Sequence, residues 1–345
     1  MSPFLTPQQA FEHTPLTLAR KAQIDGFRAA VQDVLLGTDK RHLLIVGPCS
    51  IHNEKSALLY AELLAELAIE VKETFLIVLR AYLEKPRTQS GWKGFIYDPF
   101  LDQTHDVREG ILRSRQLLDA FSSLGLPLAT EFLDPHIAPY IQDFISWGSI
   151  GARTAESPIH RALAAGLEMP VGFKNRPDGS IDVAISACLS AKQPHSTLTI
   201  GPHGNLILHN VPGNCMPHIV LRGGSSGPNY DLQSQEAACE KLQRAQLTQS
   251  ILVDCSHDNC KKNHRLQEPV FSALIEQIAH TDSPIRGIML ESFLHESRQS
   301  MNGPISDTVS ITDPCLDWQS TKKLILWAHS MLADRALHTY SRTCI

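Results

Sequence analysis

The 345-residue sequence contains no run of about 18 apolar residues, the length that a membrane-spanning helix requires. It also has no excess of basic charge: 31 Lys and Arg against 36 Asp and Glu give a net charge of -5, which argues against a nucleic-acid partner. The first residues lack the basic and apolar segments of a signal peptide. These absences predict a cytosolic protein that binds small molecules and has neither nucleic acid nor membrane as a partner.

Cysteine is too sparse for a disulfide framework, because only eight residues are spread over the whole chain. In a reducing compartment these thiols are expected to be free or to bind metal. The sequence also lacks low-complexity segments and internal sequence repeats. With 43% hydrophobic residues the chain can bury a large core, either in one barrel-sized domain or in two smaller ones.

What the chain does contain is a repeated alternation of short apolar strands and amphipathic helices. The first strand ends at Gly47-Pro48-Cys49, and a predicted helix over residues 16–37 precedes it and is expected to pack outside it. A further helix is predicted over residues 135–147. Counting parallel-type strands joined by helices gives eight units, which predicts a (β/α)8 TIM barrel. We therefore divide the chain into an N-terminal extension with its helix, residues 1–37, and a barrel, residues 38–345.

One segment departs from this alternation. Residues 196–210 contain two short strand-like runs around Gly201-Pro202-His203-Gly204-Asn205, a pattern typical of a β-hairpin. The sequence therefore predicts a hairpin inserted into the barrel.

Polar residues recur where the predicted strands end, and the strands of a parallel barrel all end at the same face. In chain order they are Cys49, Arg80 with Lys85, Glu131, Arg153, Lys174, Arg222, His257, Glu291, and Asp313 after the last strand. Charges inside a barrel are costly without partners. The strand-end cations therefore predict a ligand that carries phosphate and carboxylate groups.

Some of these strand-end residues also suit a metal ion. They combine one soft, one borderline and two hard ligands, a set typical of a catalytic divalent transition metal with an open position. They are Cys49, His257, Glu291 and Asp313. A local alternative is zinc held by Cys255, His257 and Cys260, although Cys255 lies within an apolar strand.

Eight motifs resemble those of the type I 3-deoxy-D-arabino-heptulosonate-7-phosphate (DAHP) synthases, in the branch found in enteric bacteria and yeast. They are VGPCSIH (46–52), LRAYLEKPRTQSGWKG (79–94), GARTAES (151–157), PVGFKN (170–175), HIVLRGG (218–224), DCSHDN (254–259), LESFL (290–294) and SITD (310–313). The resemblance runs from about residue 20 to the C-terminus, with the motifs in family order and spacing. It implies a metal-dependent barrel transferase, a homodimer or homotetramer, that condenses phosphoenolpyruvate with erythrose 4-phosphate in the first step of the shikimate pathway.

The resemblance also implies individual roles. The four candidate metal ligands match the family's ligands for one divalent ion, which is Mn, Fe, Co or Zn. The positions that hold phosphoenolpyruvate are matched by Arg80, Lys85, Arg153, Lys174 and Arg222, with Glu131 beside its phosphate. Arg87 and Thr88 match the residues that hold the phosphate of the aldose. The resemblance implies catalytic roles for Cys49, His257 and Lys85. Lys85 is placed to protonate the alkoxide, and the metal polarises the aldehyde.

The chain departs from the family pattern in three places. The family's N-terminal extension is not recognisable in residues 1–13, and the hairpin lacks the usual Lys-Trp-Gly-His string. Glu296-Ser297-Arg298 stands where Glu-Gly-Asn is usual. Thr197, Thr199 and His209 replace the residue types expected where phenylalanine-sensitive members hold their inhibitor. We expect an intact active site with altered or absent inhibition by aromatic amino acids.

Two other functions stay open at this point. The first is a related synthase of specialised metabolism that condenses phosphoenolpyruvate with another aldose phosphate, although the Lys85-Pro86-Arg87-Thr88 string argues for a four-carbon aldose. The second is a protein without catalytic activity that senses sugar phosphates. The presence of every expected catalytic residue argues against it.

Overall fold

The computed structural model describes residues 4–87, 91–281 and 283–342, with the side chains of the last helix described up to residue 333. The strands are β1 (His42–Gly47), β2 (Phe75–Arg80), β3 (Leu128–Glu131), β4 (Trp147–Ile150), β5 (Val171–Lys174), β6 (His195–Ile200), β7 (Leu206–Val211), β8 (Pro217–Leu221), β9 (Ile251–Asp254) and β10 (Ile285–Glu291). The helices are α1 (Pro7–His13), α2 (Leu18–Leu36), α3 (Glu54–Glu70), α4 (Val107–Ser123), α5 (Ala138–Ile141), α6 (Pro158–Gly166), α7 (Asp182–Ala191), α8 (Leu232–Arg244), α9 (Gln267–His280) and α10 (Trp318–Arg342). None of these helices is both long enough and apolar enough to cross a bilayer.

Eight strands close into a parallel barrel, which confirms the predicted (β/α)8 fold. Around the barrel they follow the order β1, β2, β3, β4, β5, β8, β9 and β10, and β10 pairs with β1 to close it. The remaining strands, β6 and β7, pair with each other in antiparallel fashion, which confirms the predicted hairpin. Because all eight barrel strands are parallel, their C-terminal ends meet at one face.

Side chains along each strand alternate between the barrel interior and the layer of helices. A buried apolar cluster fills the barrel and is called the interior cluster below; it includes Leu43, Ile45, Val78, Ala129, Trp147, Val220, Leu252 and Met289. In β1, Leu43 and Ile45 belong to this cluster, whereas Leu44 and Val46 pack with the helices. The same alternation in β2 turns Arg80 inward, two residues after the interior Val78. The interior is therefore apolar near the strand starts and polar near the strand ends.

Helix α2 closes the N-terminal end of the barrel. Its buried residues Val31, Val34 and Leu35 belong to the interior cluster together with Leu43. The prediction that this helix packs outside the first strand was therefore wrong. An apolar helical face fits either position, so the sequence pattern alone does not distinguish a plug from an outer helix.

Residues 135–147 do not form the single helix that their pattern predicts. Helix α5 covers only four residues, a 3-10 turn follows at Gln142–Phe144, and Trp147 begins β4. Trp147 is fully buried inside the barrel, where its Nε1 donates to His218 Nε2 at 3.1 Å. Gly172 makes room for this ring, because an added Cβ would lie 2.7 Å from Trp147 Cζ2.

Candidate active site

A cavity of about 660 Å³ opens at the C-terminal face of the barrel. Among the described residues, seven Lys and Arg side chains line it: Lys85, Arg87, Arg153, Lys174, Arg222, Lys262 and Arg298. The carboxylates that line it are Glu131, Asp258, Glu291 and Asp313. Cations therefore outnumber acids here although the chain as a whole is acidic. Such a cavity attracts multiply charged anions.

Arg80 lies beneath this cavity and is almost fully buried, with 2% of its surface exposed. Its Nη2 donates to Glu291 Oε1 at 2.9 Å, and its Nε donates to the carbonyl of Pro48 at 3.1 Å. The guanidinium carbon lies 3.6 Å from the centre of the Tyr82 ring. Within the described part of the chain, Nη1 has no hydrogen-bond partner. This buried donor is consistent with an anionic ligand.

Lys174 is held inside the barrel by two carboxylates. Its Nζ lies 3.3 Å from Asp254 Oδ2 and 3.7 Å from Glu131 Oε2. Asp254 is fully buried, and burial alone would raise its pKa, but His257 and Lys174 outweigh burial and hold that pKa well below its usual range. Asp254 therefore stays ionised as the buried counter-charge of Lys174.

Two more of the cations that line the cavity are Arg222 and Arg153. Arg222 Nη1 donates to Asp258 Oδ2 at 2.6 Å, and the Arg222 backbone N–H donates to Asn175 Oδ1 at 2.8 Å. Arg153 is exposed to the cavity, and no carboxylate of the described residues forms an ion pair with it. Its charge is therefore available to a ligand.

Three of the four predicted metal ligands come together. Potential ligand atoms of Cys49, Glu291 and Asp313 all lie within 4.8 Å of one another, and this is the only such group among the residues whose side chains the structure describes. The alternative zinc site of Cys255, His257 and Cys260 does not form such a group. Cys260 Sγ instead contacts the carbonyl of His257 at 3.4 Å.

Lys85 bridges this three-residue group. Its Nζ lies 2.9 Å from Cys49 Sγ and 2.7 Å from Asp313 Oδ2. Burial raises the pKa of the Cys49 thiol to about 11, with Glu291 and Asp313 adding to the effect. The site thus combines a neutral thiol, two carboxylates and one ammonium.

His257, the fourth predicted ligand, lines the same cavity outside this group. Its Nδ1 lies 3.0 Å from Asp254 Oδ2 and 2.6 Å from Ser256 Oγ. Its backbone has φ 59°, an uncommon value for a residue other than glycine. Backbone strain of this kind clusters at functional sites.

The remaining predicted residues lie near the Lys85 segment. Arg87 lines the cavity, and its Nε donates to the carbonyl of Trp92 at 2.9 Å. Thr88, the other predicted contact of the aldose phosphate, lies outside the described residues. Sequence reasoning missed Lys262 and Arg298, which line the cavity from loops after β9 and β10. Arg298 had a signal, because it belongs to the segment that departs from the family pattern.

A second cavity of about 260 Å³ lies between the hairpin, α6 and α1. Thr197, Thr199 and His209 of the hairpin line it, as do Pro7 and Phe11 of α1. The structure thus places the three hairpin residues singled out in the sequence around one small cavity, away from the first.

The fold and the first cavity define a (β/α)8-barrel enzyme whose cations and candidate metal ligands lie at the C-terminal ends of the strands. The chain belongs to the DAHP synthetase I family, whose model matches residues 16–325.

Individual relatives agree with this assignment. The Tyr-sensitive phospho-2-dehydro-3-deoxyheptonate aldolase of Salmonella typhimurium is 45% identical over 335 residues, which is 96% of this chain and 94% of the relative. The Trp-sensitive aldolase of Escherichia coli is 42% identical over 323 residues, 93% of this chain and 92% of the relative. The solved structure of the aldolase from Francisella tularensis superposes with a TM-score of 0.94 at 37% identity, covering 97% of this chain and 98% of that one.

Proposed function

We propose that the chain is a cytosolic DAHP synthase that condenses phosphoenolpyruvate with erythrose 4-phosphate, takes up one water at C2 of the enol and releases phosphate. The observation that carries the proposal is the convergence of the cavity cations on the group formed by Cys49, Glu291 and Asp313. Both substrates are anions, and the cations supply their counter-charge. Membership of the DAHP synthetase I family supports the same reaction.

In this proposal, phosphoenolpyruvate lies over the barrel interior. Arg153 and Arg222 bind its phosphate, and Lys174 and Arg80 bind from below, where Arg80 has a donor without a partner. Lys85 donates a proton to the oxygen that develops negative charge when the aldehyde is attacked. Arg87 holds the phosphate of the aldose at the mouth of the cavity.

The donor set fits a divalent cation. A thiol and two carboxylates lie within 4.8 Å of one another, a mixture that transition metals accept. His257 fits as a fourth ligand through Nε2, because its Nδ1 faces Asp254 in the way that outer-shell carboxylates orient metal-binding histidines. A divalent ion bound there would act as a Lewis acid on the aldehyde.

Removal of the metal is expected to abolish turnover. We expect loss of enol absorbance from phosphoenolpyruvate with erythrose 4-phosphate, its arrest by a chelator, and its recovery on addition of Mn²⁺. Turnover that a chelator leaves intact would contradict the metal assignment. A metal-loaded protein that never turns over these substrates would contradict the proposed reaction, and other aldose phosphates would then be screened.

We further propose that inhibition by aromatic amino acids is altered or lost. The second cavity is lined by Thr197, Thr199 and His209 instead of the residue types expected from the family resemblance. A Tyr-sensitive relative assayed in parallel gives the reference, which is the tyrosine concentration that inhibits it by half. We expect half-maximal inhibition of this protein by Phe, Tyr or Trp to require at least tenfold more than that concentration. Strong, specific inhibition by one of the three would refute this proposal.

A homodimer or homotetramer is also proposed. The outer face of the hairpin exposes Leu198, Leu206 and Leu208, which form an apolar surface suited to a contact between subunits. Light scattering coupled to gel filtration would decide, and a monomer at assay concentration would refute it.

A further inference from the structure

A buried carboxyl group lies next to Lys85 and outside the proposed chemistry. Glu84 is 3% exposed, and it precedes Lys85 in the segment that follows β2. The Lys85 backbone N–H donates to the carbonyl of Lys93 at 2.9 Å, so this segment is tied to the chain around residues 91–98. Glu84 is therefore part of the support for Lys85.

Glu84 connects that support to the loop after β3. The backbone N–H of Leu133, a residue that lines the cavity, donates to Glu84 Oε2 at 3.3 Å. Glu84 Oε1 lies 3.3 Å from the Tyr97 hydroxyl, and that hydroxyl lies 3.0 Å from Asp134 Oδ2. One side chain thus joins the segment of Lys85 to a wall of the active site.

These contacts need a proton on Glu84. The single hydroxyl proton of Tyr97 cannot be donated fully to two carboxylates at once. If Glu84 is protonated, its O–H donates to the Tyr97 oxygen, Tyr97 donates to Asp134, and every group has a partner. Burial raises the pKa of Glu84 to about 8, and the nearby Asp134 carboxylate adds to the effect. At neutral pH the acid form therefore predominates.

We propose that protonated Glu84 is a positioning residue that holds Lys85 in place through its hydrogen bonds to Tyr97 and Leu133. The inference rests on the proposed function, in which Lys85 is the proton donor. Loss of the Glu84 proton would break the chain of donors and place a second negative charge beside Asp134.

The groups that face Glu84 determine the effect of its ionisation. From residues 91–98 it faces the Tyr97 hydroxyl, and from the loop after β3 it faces Asp134, whose Oδ1 is paired with His136 Nδ1 at 2.8 Å. On its own segment the neighbouring charge is Lys85, whose ammonium points to Cys49 and Asp313. No cation among the described residues forms an ion pair with Glu84. An ionised Glu84 would therefore have hydrogen-bond donors such as the Leu133 N–H but no neighbouring cation to balance its charge.

The test compares Glu84→Gln and Glu84→Ala with the unmodified enzyme, all loaded with Mn²⁺. Glutamine reproduces the protonated acid because its amide donates to Tyr97 and its carbonyl accepts from Leu133. We expect kcat of the unmodified enzyme to fall as pH rises through about 8. Glu84→Gln should keep kcat within about threefold at pH 7 and lose this alkaline fall, whereas Glu84→Ala should lose about tenfold or more in kcat.

Asp98→Asn is the matched control. Asp98 is another buried carboxyl of the same loop, but its Oδ1 accepts from the Gln103 backbone N–H instead of contacting Tyr97. This variant should keep the alkaline fall of the unmodified enzyme. An unchanged alkaline fall in Glu84→Gln, or an unchanged kcat in Glu84→Ala, would overturn the proposal.

A spectroscopic readout separates this inference from the proposed reaction. The infrared band of a protonated carboxyl should be present in the unmodified protein at pH 7, disappear above pH 8, and be missing from Glu84→Gln. Its absence from the unmodified protein would overturn the inference even if the enzyme is active. Its presence in a protein without turnover would support the protonated Glu84 and reject the proposed reaction alone.

Discussion

Replacement of Lys85 by methionine is expected to lower kcat about a thousandfold, the range in which loss of a positioned proton donor falls. The Lys85 ammonium lies 2.9 Å from Cys49 Sγ and 2.7 Å from Asp313 Oδ2. Burial lowers its pKa, but the interactions of the ammonium with Cys49 and with the carboxylates of Asp313 and Glu291 outweigh burial and raise the pKa above its usual range. Lys85 therefore carries its proton throughout the assay range, and methionine removes that proton and the charge together.

A second variant separates the loss of the proton from the loss of the charge, and a third serves as the control. Lys85→Arg keeps a positive charge but holds its proton more tightly than lysine does. We therefore expect it to show most of the loss in kcat of Lys85→Met, with a smaller change in KM than Lys85→Met shows. Lys93→Met removes an exposed lysine of the same loop and should leave kcat and KM close to those of the unmodified enzyme. The measurement is kcat and KM from steady-state kinetics, on variants whose circular dichroism spectra match that of the unmodified enzyme. A Lys85→Met enzyme within tenfold of the unmodified kcat would contradict the role of Lys85 as proton donor.

The barrel could be predicted because its signals are local. Each strand is a short apolar run, each helix follows it closely, and the hairpin stands out by its turn residues Gly201 and Gly204. Arg80 and Lys174 were found because they end such strands, and parallel strands deliver their ends to one face. The same reasoning predicts the face of the barrel at which the cavity opens.

Partners of these residues could not be predicted in the same way. Asp254 ends β9 and faces inward after Leu252, so its position had a signal, but its pairing with Lys174 depends on the distance across the barrel. Tyr97 reaches Glu84 from a loop without periodicity. Helix α2 likewise had an apolar face without any indication of which surface it covers. Sequence patterns indicate which side of a helix or strand is buried. Only the packing in three dimensions determines which surface that side contacts.

Replacement of Asp254 by asparagine is expected to have the largest combined effect on stability and metal binding. Asp254→Asn keeps the shape of the side chain and its bonds to Ser256, whose N–H donates to Oδ1 at 3.0 Å. It removes the charge that faces Lys174 and His257. Loss of one partner of a buried ion pair costs on the order of 3 kcal/mol, because the remaining charge stays buried. Loss of an outer-shell partner of a metal-binding histidine lowers metal affinity about 10-fold to 100-fold.

Denaturant unfolding of the metal-free protein and competition for Mn²⁺ with a chelator measure the two effects separately. Asp182→Asn is the matched control, since Asp182 forms an exposed ion pair with Lys241 at 2.6 Å. Exposed pairs of this kind contribute about 0–1 kcal/mol, so the control should change neither quantity appreciably. Unfolding of Asp254→Asn at the denaturant concentration of the unmodified protein would show that Glu131 alone, at 3.7 Å, neutralises Lys174. Unchanged Mn²⁺ affinity would show that His257 does not bind the metal or does not need Asp254 to orient it. The reason is that Cys49, Glu291 and Asp313, the other candidate ligands, have no contact with Asp254 among the described contacts.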